Sequence, residues 1–347
     1  MLKLRRGIVR SADPLVVDVE GVERRAWADL ALVGEVEAGD ELIVNVEAQD
    51  LGLGSGGFDV VHANLTRGLS SQGAGDSHVM KLNYTSLQHP VDPVEAPEGD
   101  GGGGARPAVL VIPLHGHLAP AAWAAREQAP GLRIGFLQTA GGALPGAMSR
   151  DVGDLGSRGL VAGHVTAGQA YGAEHEAISV VGALDAAAAP LGWDAVIAGP
   201  GPGILGSATR FGHGGMAALD SAHAALALGS PTIVAPRLSG GDERPRHLGL
   251  SHHSRSVLEL LLAPVRVPVP EVDADLWPTS EAGRGAYDEL LEVCRDRHDL
   301  AVEEVDLAGY AASGLPTRTM GRELVDDELF FAAPLAAGRA LAKAASG

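Results

Sequence analysis

Nine of the thirteen histidines in this chain fall between His115 and His253. Such clustering suits proton transfer or metal ligation, because imidazole changes charge near neutral pH and is the commonest metal-binding side chain. His115-Gly116-His117 offers two rings two residues apart. They could be a pair of metal ligands or an acid/base with its orienting partner, and a solvated loop before a helix reads the same way. His164 precedes Tyr171 and the run Glu174-His175-Glu176. Glu174 and Glu176 are read as opening a helix, where the dipole favours carboxylates, and Glu174 could also share a cleft with His164. Ser251-His252-His253 begins another helical pattern with Ser251 as N-cap. The candidate catalytic residues are therefore His115, His117, His164, Glu174, His252 and His253. A divalent metal held by several of these histidines is a variant of the same reading, although no HExxH or CxxC spacing is present.

A second constellation lies at Gly199, Gly201, Gly203 and Gly206, between the apolar run Ala195–Ala198 and an Ala-rich helical pattern over Gly215–Leu228. A strand, a glycine-rich turn and a helix together hold anions on backbone N–H groups. Ser207, Thr209, Arg210 and Ser251 are counted with these glycines as ligand-binding candidates. No Walker lysine follows, and Gly199-x-Gly201-x-x-Ile204 lacks the third glycine of a dinucleotide fingerprint. Arg237, Arg244, Arg246 and Arg255 concentrate positive charge nearby and suggest a lid over an anionic ligand, though a solvated loop would look alike.

The elements that must position these residues change character along the chain. Residues 1–90 read as a small all-β barrel or sandwich, with alternation at Leu15, Val17, Val19 and at Leu42, Val44, Val46. The glycine cluster at 50–57 either turns a barrel corner or covers a site in the larger domain. Residues 91–107, with four consecutive glycines, read as a linker. Residues 108–347 then read as a mainly parallel α/β sandwich. Its strands are expected at Ala108–Leu114, Arg133–Thr139, Leu160–Thr166, Asp194–Ala198 and Thr232–Pro236. Its helices are expected at Pro120–Gln128, Glu174–Ala189, Gly215–Leu228 and His253–Leu262, with an edge strand near Leu300–Val305 and a closing helix over Asp326–Ala345. Five strand tips rich in small and polar residues would then share one sheet edge, where parallel sheets bind ligands.

Composition narrows the partners. A net charge of −18 repels phosphate backbones and anionic lipids. Trp27, Phe58 and Tyr84 are isolated in the β domain, with no aromatic–basic face for nucleic acid. One cysteine, Cys294, fits a reducing compartment. The N-terminus has no apolar signal core and no run is long enough to span a bilayer, so the chain reads as cytoplasmic.

The phrases RRGIV, DLGLGSGGFDVVHANL, HVMKLNYTSLQ, GGALPGAMSR, GPGILGSATRFGH, HLGLSHHS and PTRTMGR resemble a bacterial family of unknown function, the 3866 family. They spread over both domains, which implies that the two parts form one functional unit. The resemblance brings no mechanism with it. From the residues, the chain is expected to be an enzyme acting on a small anionic metabolite, phosphorylated ones included, through histidine acid/base groups and a glycine-rich anion loop. A divalent-metal-dependent hydrolase and a non-catalytic metabolite-binding or assembly protein are the alternatives. A homo-oligomer is expected, with no nucleic-acid or membrane partner.

Overall fold

A computed structural model describes residues 1–53, 56–70, 77–95, 106–207, 209–279 and 285–347. The chain divides into two compact units, Met1–Asp92 and Pro93–Gly347. In the first, β1 (Leu4–Ala12), β2 (Leu15–Val19), β3 (Val22–Trp27), β4 (Glu41–Asn45) and β5 (Asp59–Asn64) close a barrel in the order β1-β2-β3-β5-β4. Every second residue points inward, so Val17, Val19, Leu42, Val44 and Val61 fill the interior. Gly52 and Gly57 both have positive φ, the backbone of a turn that glycine adopts without steric cost.

The second unit is built on β6 (Ala108–Val111), β7 (Ile134–Thr139), β8 (Gly163–Ala167), β9 (His175–Ala177), β10 (Ala195–Pro200), β11 (Thr232–Val234), β12 (Arg266–Glu271) and β13 (Asp299–Glu304). They form one eight-stranded sheet in the order β9-β8-β7-β10-β6-β11-β12-β13, with every neighbouring pair parallel. Contiguous apolar runs are what such a sheet requires, because both faces are covered. On β6, Val109 and Val111 join one apolar layer while Leu110 and Ile112 of the same run join the other.

Helices α1 (Leu118–Gln128), α2 (Arg150–Ser157) and α7 (Glu328–Ser346) contribute to the layer of Leu110. Helices α3 (Val180–Ala188), α4 (Ala217–Ala227), α5 (His252–Leu260) and α6 (Ala286–Cys294) contribute to the layer of Val109. The chain leaves β6 and β7 toward the first face and β10 and β11 toward the second. Since β10 lies between β7 and β6, adjacent strands send their chains to opposite faces, the kind of switch point at whose carboxyl ends parallel sheets bind ligands.

Two expectations change. The helix expected at Glu174–Ala189 starts only at Val180, capped by the Ser179 side chain on Gly182 N–H. His175–Ala177 instead pairs in parallel with Val165–Ala167 as an edge strand. Glu174 and Glu176 therefore do not open a helix: Glu176 accepts from Gly172 N–H and from the Thr166 hydroxyl. The linker reading at 91–107 also narrows. Val91 closes a hairpin with Val79, Pro93 bridges to Glu176, and Glu95 accepts from Ile178 and Ser179 N–H. The four-glycine run lies outside the described residues.

Gly135 on β7 lies under the Trp193 indole, where an added Cβ would sit 1.8 Å from Trp193 Cε3. Gly135→Ala is expected to lower stability by about 1–3 kcal/mol or more through overpacking, read as a lower urea midpoint against the wild-type chain.

Candidate functional site

The carboxyl edge carries two groups of side chains. In the first, His115 from the β6 tip hydrogen-bonds the Ser149 hydroxyl through Nε2 (2.7 Å) and Pro200 O through Nδ1 (3.2 Å). A carbonyl only accepts, so Nδ1 carries the proton and Nε2 presents its lone pair to the Ser149 hydroxyl. Ser149 is also the N-cap of α2, accepting from Val152 N–H at 3.2 Å. Asp151 Oδ2 stands 3.9 Å from His115 Nε2. Burial holds His115 below the usual histidine range, with Asp151 and the Pro200 carbonyl opposing it. His164 stacks on Phe136 at 5.1 Å and meets Gln138 Oε1 at 3.2 Å. Burial, followed by the neighbouring His115 and His175, lowers His164 to about 4.

The loops between these strands and helices touch backbone to backbone. A Cβ on Gly201 would fall 2.3 Å from Ala143 O, and one on Gly214 would fall 1.8 Å from Gly141 O. Around them, Ala143 N–H donates to Pro202 O (2.8 Å), Leu205 N–H to Gly141 O (3.0 Å) and Gly214 N–H to Leu205 O (2.8 Å). Gly199 and Gly201 are thus explained first by close packing, against Ile112 and Ala143, whereas Gly203 takes a positive φ and Gly206 leaves room for a side chain. The run does not lead straight into a helix: Gly206 bridges to His213, and α4 begins only at Ala217 after a short 3₁₀ turn. Ser207 and Thr209 share a hydrogen bond (2.8 Å) and tie this excursion to Gly212, while Arg210 pairs with Glu259.

The second group gathers His213, His247, His252 and His253. His213 and His253 stack with centroids 3.7 Å apart and planes inclined by 12°. His252 lies 5.2 Å from His213 and 4.4 Å from His253, and His247 lies 4.8 Å from His253. Ser251 caps α5 on His253 N–H and meets His247 Nδ1 at 2.8 Å. His213, His252 and His253 each offer a ligand atom within 4.8 Å of the others, an arrangement able to hold a metal ion. Burial is the first cause of depression in all four rings. Neighbouring histidines and arginines add to it, leaving His247 at about 3, His252 at about 4 and His253 at about 2.

Beside these rings runs a buried ion network. Arg237, 2% exposed, donates to Asp242 Oδ2 at 3.1 Å, and Arg244 reaches both oxygens of the same carboxylate. Arg322 stands 3.6 Å from Asp242 and 3.0 Å from Asp327, which also accepts from Ser239, Gly240 and Gly241. Burial alone would raise the Asp242 carboxyl, but the Arg244 hydrogen bonds and the charges of Arg244 and Arg237 override it and hold it well below the usual range. The arginine lid expected from sequence is largely absorbed in this way: Arg237 is interior, and Arg255 pairs with Glu289 at 2.9 Å. Arg246 is exposed, and its charge reaches His213 and His252.

Expected partners are brought together unevenly. His252 and His253 meet, and His115 and His164 flank the same Phe136 ring. His117 is fully buried, edge-on to Phe330 at 5.1 Å, and neither ring nitrogen has a hydrogen-bond partner among the described residues. Glu174 is exposed and 3.7 Å from His175, and its carboxylate lies toward the Trp193 side of Gly163. Successive strand residues face opposite ways, so Glu174 and His164 lie on opposite faces of β8. Sequence reading passed over Ser149, Gln138 and Asp242. Ser149 had a signal in its N-cap position before Asp151 and Val152, whereas Gln138 and Asp242 are recognised only by what surrounds them.

Fold and site together define an α/β protein with an N-terminal five-stranded barrel and a histidine- and arginine-rich carboxyl edge. The chain belongs to the family described as protein of unknown function (DUF3866), matched over residues 25–338. No curated protein and no solved structure matches it. Among the described residues, no helix is long and apolar enough to cross a membrane.

Two stability effects follow. Asp242→Asn leaves Arg237 buried without its counter-charge and is expected to cost about 3–5 kcal/mol, measured by urea unfolding at neutral pH. His117 is lowered to about 3, first by burial and then by Arg237, against about 6.5 in the unfolded chain. The unfolded chain therefore takes up this proton first, so the stabilising effect of neutral His117 is complete above pH 6.5 and drains away as pH falls toward 3. His117→Leu is expected to lose less stability than wild type between pH 7 and pH 4.5, and equal losses would contradict this account.

Proposed function

We propose that this chain is an enzyme acting on a small anionic metabolite, phosphorylated compounds included, at the carboxyl edge of its parallel sheet. The observation that carries this reading is a concentration of unfulfilled polar atoms. Among the described residues, His117 Nδ1 and Nε2, His213 Nδ1, His252 Nε2, His253 Nδ1 and Arg237 Nε are buried without a hydrogen-bond partner. Native interiors rarely leave such groups unsatisfied, and a cluster of them marks a place completed by a ligand or ion. Three arginines set against Asp242 and Asp327 leave local positive charge in an otherwise acidic chain, and Arg244 and Arg246 remain exposed to attract an anion.

The chemistry divides between the two groups. Rings as weakly basic as His252 and His253 are poor proton acceptors at pH 7, but they serve well as neutral ligands or hydrogen-bond donors. His115 is the better-placed base, with its lone pair already on the Ser149 hydroxyl and its other nitrogen fixed by Pro200 O. His164 and Gln138 line the same strand tips. A hydrolase that depends on a divalent metal is the second reading, favoured by the convergence of His213, His252 and His253. A non-catalytic binding subunit would use the same arginines without turnover.

Thermal unfolding in phosphomonoesters, pyrophosphate and small carboxylates, each against chloride at equal ionic strength, tests the anion site. A true ligand at a hundred times its Kd stabilises by about 2.7 kcal/mol, and Arg246→Ala with Arg244→Ala should weaken that ligand roughly 10-fold or more. If no anion shifts the transition, the reading fails. If one does, loss of turnover in His115→Gln with ligand affinity kept separates an enzyme from a binding subunit.

A further inference from the structure

The geometry points to a resident transition-metal centre, which we propose is formed by His213 Nδ1, His252 Nε2 and His253 Nδ1, with an open coordination position for an oxyanion. This deepens the reading above and rests on its metal-dependent variant. Each of these three nitrogens is buried and without a hydrogen-bond partner among the described residues, and the trio's ligand atoms lie within 4.8 Å of one another. His213 and His253 are 7% and 5% exposed, so water does not readily supply what the protein withholds.

The His213 tautomer agrees with ligation. His213 Nε2 meets Arg210 O at 3.1 Å. A carbonyl only accepts, so Nε2 carries the proton and Nδ1 is left as a lone pair. A ligating imidazole commonly donates its far N–H to such an outer carbonyl, which fixes the ring. The space in front of that lone pair is kept clear by Gly215, where a Cβ would stand 3.0 Å from His213 Nδ1. His247, anchored on Ser251 at 2.8 Å, backs the His252 and His253 rings.

Ligand chemistry selects the ion. Three neutral imidazoles suit zinc, cobalt, nickel or copper and do not suit magnesium or calcium, which require oxygen. Zinc at about 2.0–2.1 Å from each nitrogen would draw the trio inward and turn the stacked His213 and His253 rings out of their parallel arrangement, because each lone pair lies in its own ring plane. Three neutral ligands leave the ion's full charge uncompensated beside Arg237 and Arg246. An anion in the remaining position relieves both, so the metabolite's oxyanion or a hydroxide is the group expected there.

The test uses the full chain, stripped with a chelator and titrated with zinc against a chromophoric competitor and with cobalt, whose visible absorption reports coordination. One ion per chain is expected, with the cobalt bands of a four- or five-coordinate site. His213→Ala should weaken zinc binding at least 100-fold and Gly215→Ala at least several-fold, while His62→Ala in the barrel should leave it unchanged. Because a ligand variant can misfold, X-ray absorption of the wild-type zinc complex supplies a second reading. Three imidazoles in its shell support the centre, and fewer than two overturn it. Zinc affinity unchanged in a folded His213→Ala also overturns it. If zinc fails to bind while anions still stabilise the chain, the metal centre falls and the anion site stands. If zinc binds and no anion stabilises it, the anion site falls instead.

Discussion

The buried pairing of Arg237 with Asp242 is the interaction on which the carboxyl edge depends. Neither group could be interior alone, since an isolated charge in a low-dielectric environment is far more costly than a pair with satisfied hydrogen bonds. Asp242 reconciles three guanidiniums: Arg237 from the β11 tip, Arg244 from its own loop and Arg322 from a distant hairpin. Arg322 passes the arrangement to Asp327, which stands just ahead of α7 and in turn holds the backbone at Gly240 and Gly241. The ends of the sheet and of the last helix are thereby tied to one carboxylate. The histidines nearby feel the surplus positive charge, which together with burial keeps them neutral.

That electrostatic setting distinguishes two kinds of histidine on one edge. His115 has both nitrogens engaged, one by a carbonyl and one by a hydroxyl, and its environment prepares a directed lone pair. His213, His252 and His253 each have a buried nitrogen without a hydrogen-bond partner among the described residues. The first arrangement is complete as it stands, and the second is not. A site that combines them can bind with one set of rings and move protons with another, which is how environments of opposite character divide labour between identical side chains.

The middle of the sheet was legible because strands such as Ala108–Val111 and Ala195–Pro200 are continuous apolar runs, whereas His175–Ala177 and Arg266–Glu271 carry charged residues and were not expected as strands. Glu174–Ala189 misled because two carboxylates before an Ala-rich stretch imitate a helix start. Only the pairing of His175–Ala177 with β8 and the cap at Ser179 reveal a strand there. The histidine clustering was visible as a count along the chain. Its division into two groups was not, because that depends on β10 lying between β7 and β6. The His115 tautomer is set by a carbonyl remote in sequence, at Pro200, and that of His213 by the Arg210 carbonyl three residues before it, and neither lone-pair direction could be read from spacing.

The glycines at 141, 142, 201 and 214 meet as bare backbone, with Gly141 against Gly214 and Gly142 against Gly201. They carry no chemistry, yet Gly214 adjoins His213 and Gly201 adjoins Pro200, whose carbonyl orients His115. The two histidine groups are therefore mechanically linked through positions that lack side chains. In evolutionary terms these four positions are expected to behave as an epistatic unit. A change at one is tolerated only with a compensating backbone shift at its partner, and that shift would move a histidine. Divergence within the family should then proceed freely around this contact and slowly through it.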